Sequence, residues 1–434
     1  MIESTSRHEE IPHEIAAEML QERLHEEQQK VHSKWWLLSL FAAFIPFGLV
    51  LSSALTPLGQ FMKADPSWVP AIDDSDLALL DGAMIAPSVI MPIVIGIALD
   101  AAWSVNLGIL FCLIGSVFGQ FFVALGLAWH SFGLVLTGRL IGGFCFAPVF
   151  VVADTIAAQF NRKRRSTSFG IIGAMQSIGL GMNMLWLPGF TEQALGADYE
   201  KANDILLIVS LMCLGVGFLW GPIVSSFELG DAPKQRAWKW HVPTAVWAVA
   251  IAQIVTMMYH AGVSTVEREL FVFELGSVVV LGPLLGYYLD KTAKSQNGSL
   301  SPSRWMLGVT GLVLIANAVH HFWGTGGVLA AAGLGVVNML IRSIVPQVAS
   351  RDNLSTAFGF VESGLFIGSI VLSSRIQLTY LSELLCLLVN MVLFTFVIYK
   401  VRDKWQQFKE TRRPQGAEAG KLGDLTEPLH ARGG

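Results

Sequence analysis

Long apolar runs separated by short polar links fill the chain from residue 35 to residue 399. The runs cover 35–62, 77–99, 104–129, 131–157, 167–189, 204–226, 243–263, 268–289, 305–323, 327–348, 355–374 and 378–399. Each is close to or above the ~20 residues that a helix needs to cross a hydrocarbon core. The pattern predicts an all-α membrane protein with twelve transmembrane helices. Pro46 and Pro57 interrupt the first run and Pro87 and Pro92 the second, while Gly179 and Gly181 lighten the fifth. A bundle tolerates such breaks where neighbouring groups or water satisfy the freed backbone.

The polar links orient the chain. Most lysines and arginines fall before the first run, in 159–166, in 227–242, in 291–304, at Arg351 and after 399. These links share one side of the bilayer, and the excess of basic residues there predicts that both termini are cytoplasmic. The opposite links are acidic, with Asp65, Asp73, Asp74 and Asp76 in one and Glu192, Asp198, Glu200 and Asp204 in another. The expected organisation is a cytoplasmic tail (1–33), six helices (34–226), a cytoplasmic linker (227–242), six more helices (243–400) and a second tail (401–434). The polar start of the chain predicts no cleaved signal peptide. Ile11, Ile15, Met19 and Leu24 would share one face if the tail were helical; a solvated tail is the simpler expectation.

Composition agrees with residence in lipid. Charged residues make up 14%, hydrophobic residues 53%, and mean hydropathy is +0.54. Soluble chains carry about 25% charge. A net charge of −4 offers no footprint for nucleic acid. Cys112, Cys145, Cys213 and Cys386 all lie in apolar runs and read as packing residues. No phosphate-binding glycine loop, nucleophile elbow or zinc spacing occurs, so neither an enzyme nor a cofactor or metal site is expected. Asn297-Gly-Ser and Asn353-Leu-Ser match the glycosylation pattern but fall on the cytoplasmic side.

The chain also repeats itself. Ser166-Thr-Ser-Phe-Gly opens the fifth run and Ser355-Thr-Ala-Phe-Gly the eleventh; Ile178-Gly179 recurs as Ile367-Gly368 at the same offset. Gly96-Ile-Ala-Leu-Asp100 recurs as Gly286-Tyr-Tyr-Leu-Asp290 at nearly that offset. Three matches at almost one spacing predict two related halves.

Several polar residues stand inside apolar runs. Arg139 lies well inside the fourth, where an uncompensated arginine costs at least ~2.5 kcal/mol. Nothing from Val135 to Gly143 neutralises it, so its partner is expected from another helix or from a ligand; snorkelling to the interface is the alternative. Glu274 sits near the middle of the eighth run. Arg342 and Glu362 both sit ~10 Å from the cytoplasmic ends of adjacent antiparallel helices, which predicts an ion pair. Gln176, Asn183, Asn338 and Tyr259 either line a path or bond helix to helix. His260 is a candidate protonatable group near the far side, and His320-His321 an interfacial pair.

Twelve runs in two halves, with Gly-x-x-x-Asp closing the second and eighth, resemble the major facilitator superfamily over about residues 35–400. In that family the motif shapes the cytoplasmic turn between helices two and three. The resemblance implies that Asp100 faces the start of the eleventh helix near Ser355, and Asp290 the start of the fifth near Ser166, as a paired gate with Gly96 and Gly286. Lys291 follows the second copy; Ala101 and Ala102 stand where the first usually has a basic residue. Gly138-Arg139-x-x-Gly142 is similar to the family's fourth-helix motif, whose arginine faces the transport path.

Gly138-Arg139, Phe169-Gly170, Asn183-Met184, Pro346 and Leu354-Ser-Thr-Ala-Phe-Gly-Phe360 resemble the lysosomal dipeptide transporter branch. Cys145 to Pro148 stand where that branch carries a glutamate. This likeness implies a dipeptide carrier, a uniporter, in a lysosomal or other endomembrane, with a glycosylated accessory subunit. The function expected is alternating-access transport of a small organic solute, with Arg139 holding a carboxylate and Glu274 an amine or proton. A carrier of an amino acid, sugar or organic anion, and a transport-inactive scaffold or sensor, remain open alternatives.

Overall fold

The computed structural model describes residues 35–53, 55–160, 164–228, 242–264, 268–292, 301–323, 327–373 and 380–411. The 1–33 tail, most of the 227–242 linker, and the side chains of Tyr259, His260 and His321 lie outside the described residues. The long helices are α1 (Trp35–Ser52), α2 (Asp74–Ala101), α3 (Val105–Ala128), α4 (Phe132–Phe160), α5 (Arg165–Gly181) and α6 (Tyr199–Glu228). They continue as α7 (Thr244–Ser264), α8 (Arg268–Thr292), α9 (Ser301–Trp323), α10 (Gly327–Val348), α11 (Leu354–Ser373) and α12 (Tyr380–Thr411).

Eight helical stretches, in α2–α6, α8, α10 and α12, are long and apolar enough to cross a bilayer. The apolar parts of α1, α7, α9 and α11 are shorter among the described residues. The molecule is thus an all-α, multi-span membrane bundle.

Local chemistry sets the helix ends. Asp73 caps α2 reciprocally: its carboxylate accepts the Asp76 N–H at 2.9 Å and its own N–H reaches the Asp76 carboxylate at 3.1 Å. Ser104 caps α3 through the Leu107 N–H at 3.1 Å. Three helices depart from the runs read in the sequence. The first run breaks after Ser52; Pro57 falls in a 3-10 turn (Thr56–Leu58), followed by a short helix (Gly59–Ala64). The fifth widens into a π turn (Met182–Trp186) before the short helix Leu187–Ala194. Pro188 accounts for this turn, because its ring supplies no N–H to the carbonyl four residues earlier. The last helix runs on to Thr411, since good helix formers such as Lys404, Gln406 and Lys409 continue it past the apolar run.

Helices pack both within α1–α6 and α7–α12 and between the two groups. α3 lies against α4 and α6, α2 against α4, and α1 against α5; correspondingly α9 lies against α10 and α12, α8 against α10, and α7 against α11. Across the two groups, α5 packs on α8 and α2 on α11, with smaller contacts of α4 with α11 and α5 with α10. One core cluster spans both groups, including Phe169, Ile341 and Phe358. Another, including Leu58, Met62, Trp68 and Tyr199, belongs to α1–α6 and its loops at the opposite end.

Candidate functional site

Three polar assemblies bring sequence candidates together or engage them. The first lies at one end of the bundle, where α2 and α8 finish. A helix start leaves N–H groups without intrahelical partners and carries partial positive charge, so a carboxylate fits there. Asp100 fills that role for α11, accepting from the Ser355 N–H at 3.1 Å, the Thr356 N–H at 2.7 Å and the Thr356 hydroxyl at 2.7 Å. Asp290 does the same for α5, accepting from the Ser166 N–H at 3.0 Å, the Thr167 N–H at 2.8 Å and the Thr167 hydroxyl at 2.6 Å. Each carboxylate ties one helix group to the other. The glycines permit this approach: a Cβ on Gly96 would strike the Ser355 carbonyl, and one on Gly286 the Ser166 carbonyl. The two repeated phenylalanines also meet, with Phe169 and Phe358 ring centroids 5.8 Å apart and both side chains fully buried.

Deeper in the bundle, Arg342 of α10 gathers groups from three other helices. Its guanidinium lies 3.0 Å from Glu362 of α11 and 3.4 Å from Asp154 of α4, and it donates to the Gln176 side-chain oxygen of α5 at 2.7 Å. Asp154 is fully buried, and Glu362 and Arg342 are nearly so. Two carboxylates therefore share one guanidinium, across the boundary between α1–α6 and α7–α12. Neither oxygen of Asp154 nor the second oxygen of Glu362 accepts a well-formed hydrogen bond.

Arg139 belongs to the third assembly, which is confined to α1–α4. Its guanidinium donates to the Ser53 carbonyl at 2.8 Å, the Leu80 carbonyl at 3.3 Å and the Asp81 carboxylate at 3.1 Å. Its side chain is 8% exposed, so it does not snorkel to the interface. The neighbouring glycines serve the packing of α4 on α3, because a Cβ on Gly138 would meet the Gly119 carbonyl, and one on Gly119 the Gly142 backbone. Arg139, Ser53, Ser116 and Gln120 border a cavity of ≈ 30 Å³. That volume holds water but not a peptide-sized solute.

The other sequence candidates disperse. Asn183 sits in the π turn and donates to the Val50 carbonyl at 3.0 Å. Asn338 accepts from Gln253 of α7 at 3.1 Å. Glu274 is buried in α8, where its backbone carbonyl lies against Gly335 of α10. Gln176, Arg342 and Glu362 come together; Arg139 makes its polar contacts with α1 and α2. Sequence reasoning missed Asp81 and Asp154. The signal for Asp154 was present, since it is the one acidic residue in α4, and a carboxylate inside an apolar run needs a partner.

No protein-family model matches the chain. In sequence it is similar to the lysosomal dipeptide transporter MFSD1 of Danio rerio, 24% identical over 66% of this chain and 68% of that protein. In structure it is similar to a major facilitator superfamily transporter, FucP, in the outward conformation (TM-score 0.56, 11% identity, 82% of this chain and 98% of the other). It is also similar to a bacterial homologue of the iron transporter ferroportin in an outward-facing state (TM-score 0.60, 10% identity, 85% and 99%). The fold is therefore of the major facilitator type.

Proposed function

We propose that the chain is a secondary transporter in which two six-helix halves, α1–α6 and α7–α12, rock to expose a central solute site alternately to the two sides. The observation that carries this reading is the doubled carboxylate contact between the halves. Asp100 with α11 and Asp290 with α5 form a paired gate on the cytoplasmic side, closed in this conformation. Hydrogen bonds between side chains and helix starts suit a reversible gate, since water can replace each one when the halves part.

The cargo we favour is a dipeptide, moved by a lysosomal or other endomembrane carrier whose termini face the cytoplasm. Support comes from the likeness to MFSD1 and from Arg139, whose planar fork matches a carboxylate. In this reading the substrate carboxylate displaces Asp81 from the guanidinium, and parting of the halves frees Glu274 for the substrate amine and Gln176, Asn183 and Asn338, held by Arg342, Val50 and Gln253 in this conformation, for polar contacts, with Tyr259 completing the set. A glycosylated accessory subunit belongs to the same reading. A second reading, a transport-inactive scaffold or sensor, draws on the Arg139–Asp81 pair, which already neutralises the arginine. Uptake of labelled dipeptides and amino acids into proteoliposomes, with and without a pH gradient, tests the choice. Saturable dipeptide uptake that falls at least tenfold in Arg139→Lys supports the carrier. Uptake of amino acids but not dipeptides moves the cargo to another small solute, and no uptake of any solute favours the scaffold.

A further inference from the structure

We propose that the Asp154–Arg342–Glu362 cluster is a proton-binding site whose occupancy is linked to closure of the end that carries Asp100 and Asp290. The inference rests on the alternating-access reading, because it needs the two helix groups to separate. Its basis is charge and position. Two carboxylates and one guanidinium give a formal charge of −1 in a nearly dry layer. An uncompensated charge in such a layer is costly, and two carboxylates held together do not both ionise readily. The charged groups facing Asp154 are Arg342 from α10 and Glu362 from α11, and those facing Arg342 are the same two acids. Among the described residues, α1, α2, α3 and α5, which also pack on α4, contribute no charge to it; α5 supplies the neutral Gln176. One more positive charge balances the cluster. A proton fits better than a sodium ion, which needs several convergent oxygens, whereas the Gln176 oxygen is already taken by Arg342.

The cluster's division between the helix groups links the proton to the motion. Asp154 belongs to α4, while Arg342 and Glu362 belong to α10 and α11. When the groups part, Arg342 and Glu362 leave together as a neutral pair. Asp154 is left facing water, where its carboxylic O–H bond breaks, the electron pair stays on oxygen and the proton passes to solvent. Closure reverses the step and takes up one proton. Acid therefore favours the closed arrangement.

Spin labels at Ala102→Cys and Asp352→Cys, in an otherwise cysteine-free full-length chain in lipid nanodiscs, report the separation of α2 from the start of α11. The expected result is a short and a long distance, with the short population rising as pH falls from 8 to 5 and changing at most tenfold per pH unit. Asp154→Asn should hold the short distance at every pH. Glu362→Gln, which leaves a balanced Arg342–Asp154 pair, should also flatten the response and serves if the first variant fails to fold. Two distances whose ratio ignores pH, a pH response unchanged in the folded variants, or closure driven by sodium at fixed pH would each overturn the proton site. A single distance under every condition would instead defeat the alternating-access reading on which it rests.

Discussion

The two ends of the bundle are held by different means. At one end Asp100 and Asp290 bridge α1–α6 to α7–α12 through two near-identical sets of contacts. At the other, Asp65 accepts from the Tyr199 hydroxyl, His130 lies 3.3 Å from Asp65 and 3.6 Å from Glu200, and Trp68 donates to Tyr199 at 3.0 Å. Every member of that second cluster comes from α6 or from loops within α1–α6. Both ends use carboxylates, but only the first set crosses between the groups. A polar cluster confined to one group stiffens that group; one that crosses the boundary decides whether the boundary is open. This difference points to movement between the groups and rigidity within them.

Substitutions at each end, and in the cluster between them, test this difference. The largest effect is expected from Arg342→Ala, which strands two buried carboxylates and should cost about 3–5 kcal/mol of stability, as loss of one member of a buried pair does. Glu362→Ala should cost clearly less, because Asp154 remains to pair with Arg342. Thermal unfolding in detergent measures both, and equal losses would argue against a shared guanidinium.

Next comes Asp100→Ala combined with Asp290→Ala. Each carboxylate accepts charge-assisted bonds of the kind worth about 1.5–3 kcal/mol, so the double variant should open the Asp100/Asp290 end at least tenfold more often. Spin-label distances between Ala102 and Asp352 read this directly, and the two single variants should shift by similar amounts if the ends of α2 and α8 are equivalent. A smaller loss, about 1–3 kcal/mol by analogy with overpacking, is expected for Gly286→Ala, with Gly96→Ala alike. Melting temperatures at the parent's level for both would mean that the helices yield without resistance.

The smallest effect concerns the opposite end. The Tyr199 hydroxyl, with the Ser67 N–H behind it, holds the Asp65 carboxyl down at about 2 against an ordinary 3.8. A depressed acid contributes stability that is fully present above its unfolded value and lost as pH falls through its folded value. The parent should therefore lose this contribution between about pH 3.8 and pH 2. Asp65→Asn should flatten that limb of a melting-temperature profile and leave the Ala102–Asp352 distances unchanged. A change in those distances would mean that the Asp65 cluster takes part in the movement between the groups instead of stiffening one of them.

The same contrast explains what could be read from the sequence. The Asp100 and Asp290 contacts were legible because the repeated glycine-and-acid motif resembles that of the major facilitator superfamily, and that resemblance implies which helix start each acid meets. Arg342 and Glu362 were legible by depth, since helical rise sets both at one level on neighbouring helices. Asp154 was not, because depth counting between adjacent helices says nothing about α4 crossing to meet α10. Asp81 escaped for a related reason: a search along one helix turn around Arg139 cannot find a partner that α2 supplies. The cluster around Asp65 has no repeat or spacing to announce it, because it depends on how two separate loops and the start of α6 fold together. The π turn needed a backbone, although Pro188 marked its place.

Alternating access requires that the two ends open in turn. Two spin-label pairs in the full chain test it together: Ala102 with Asp352 at one end, and Trp129 with Val328 at the other. Across pH, and with and without dipeptide, one distance should lengthen as the other shortens, in matched populations. Two distances that stay fixed, or that lengthen together, would contradict it.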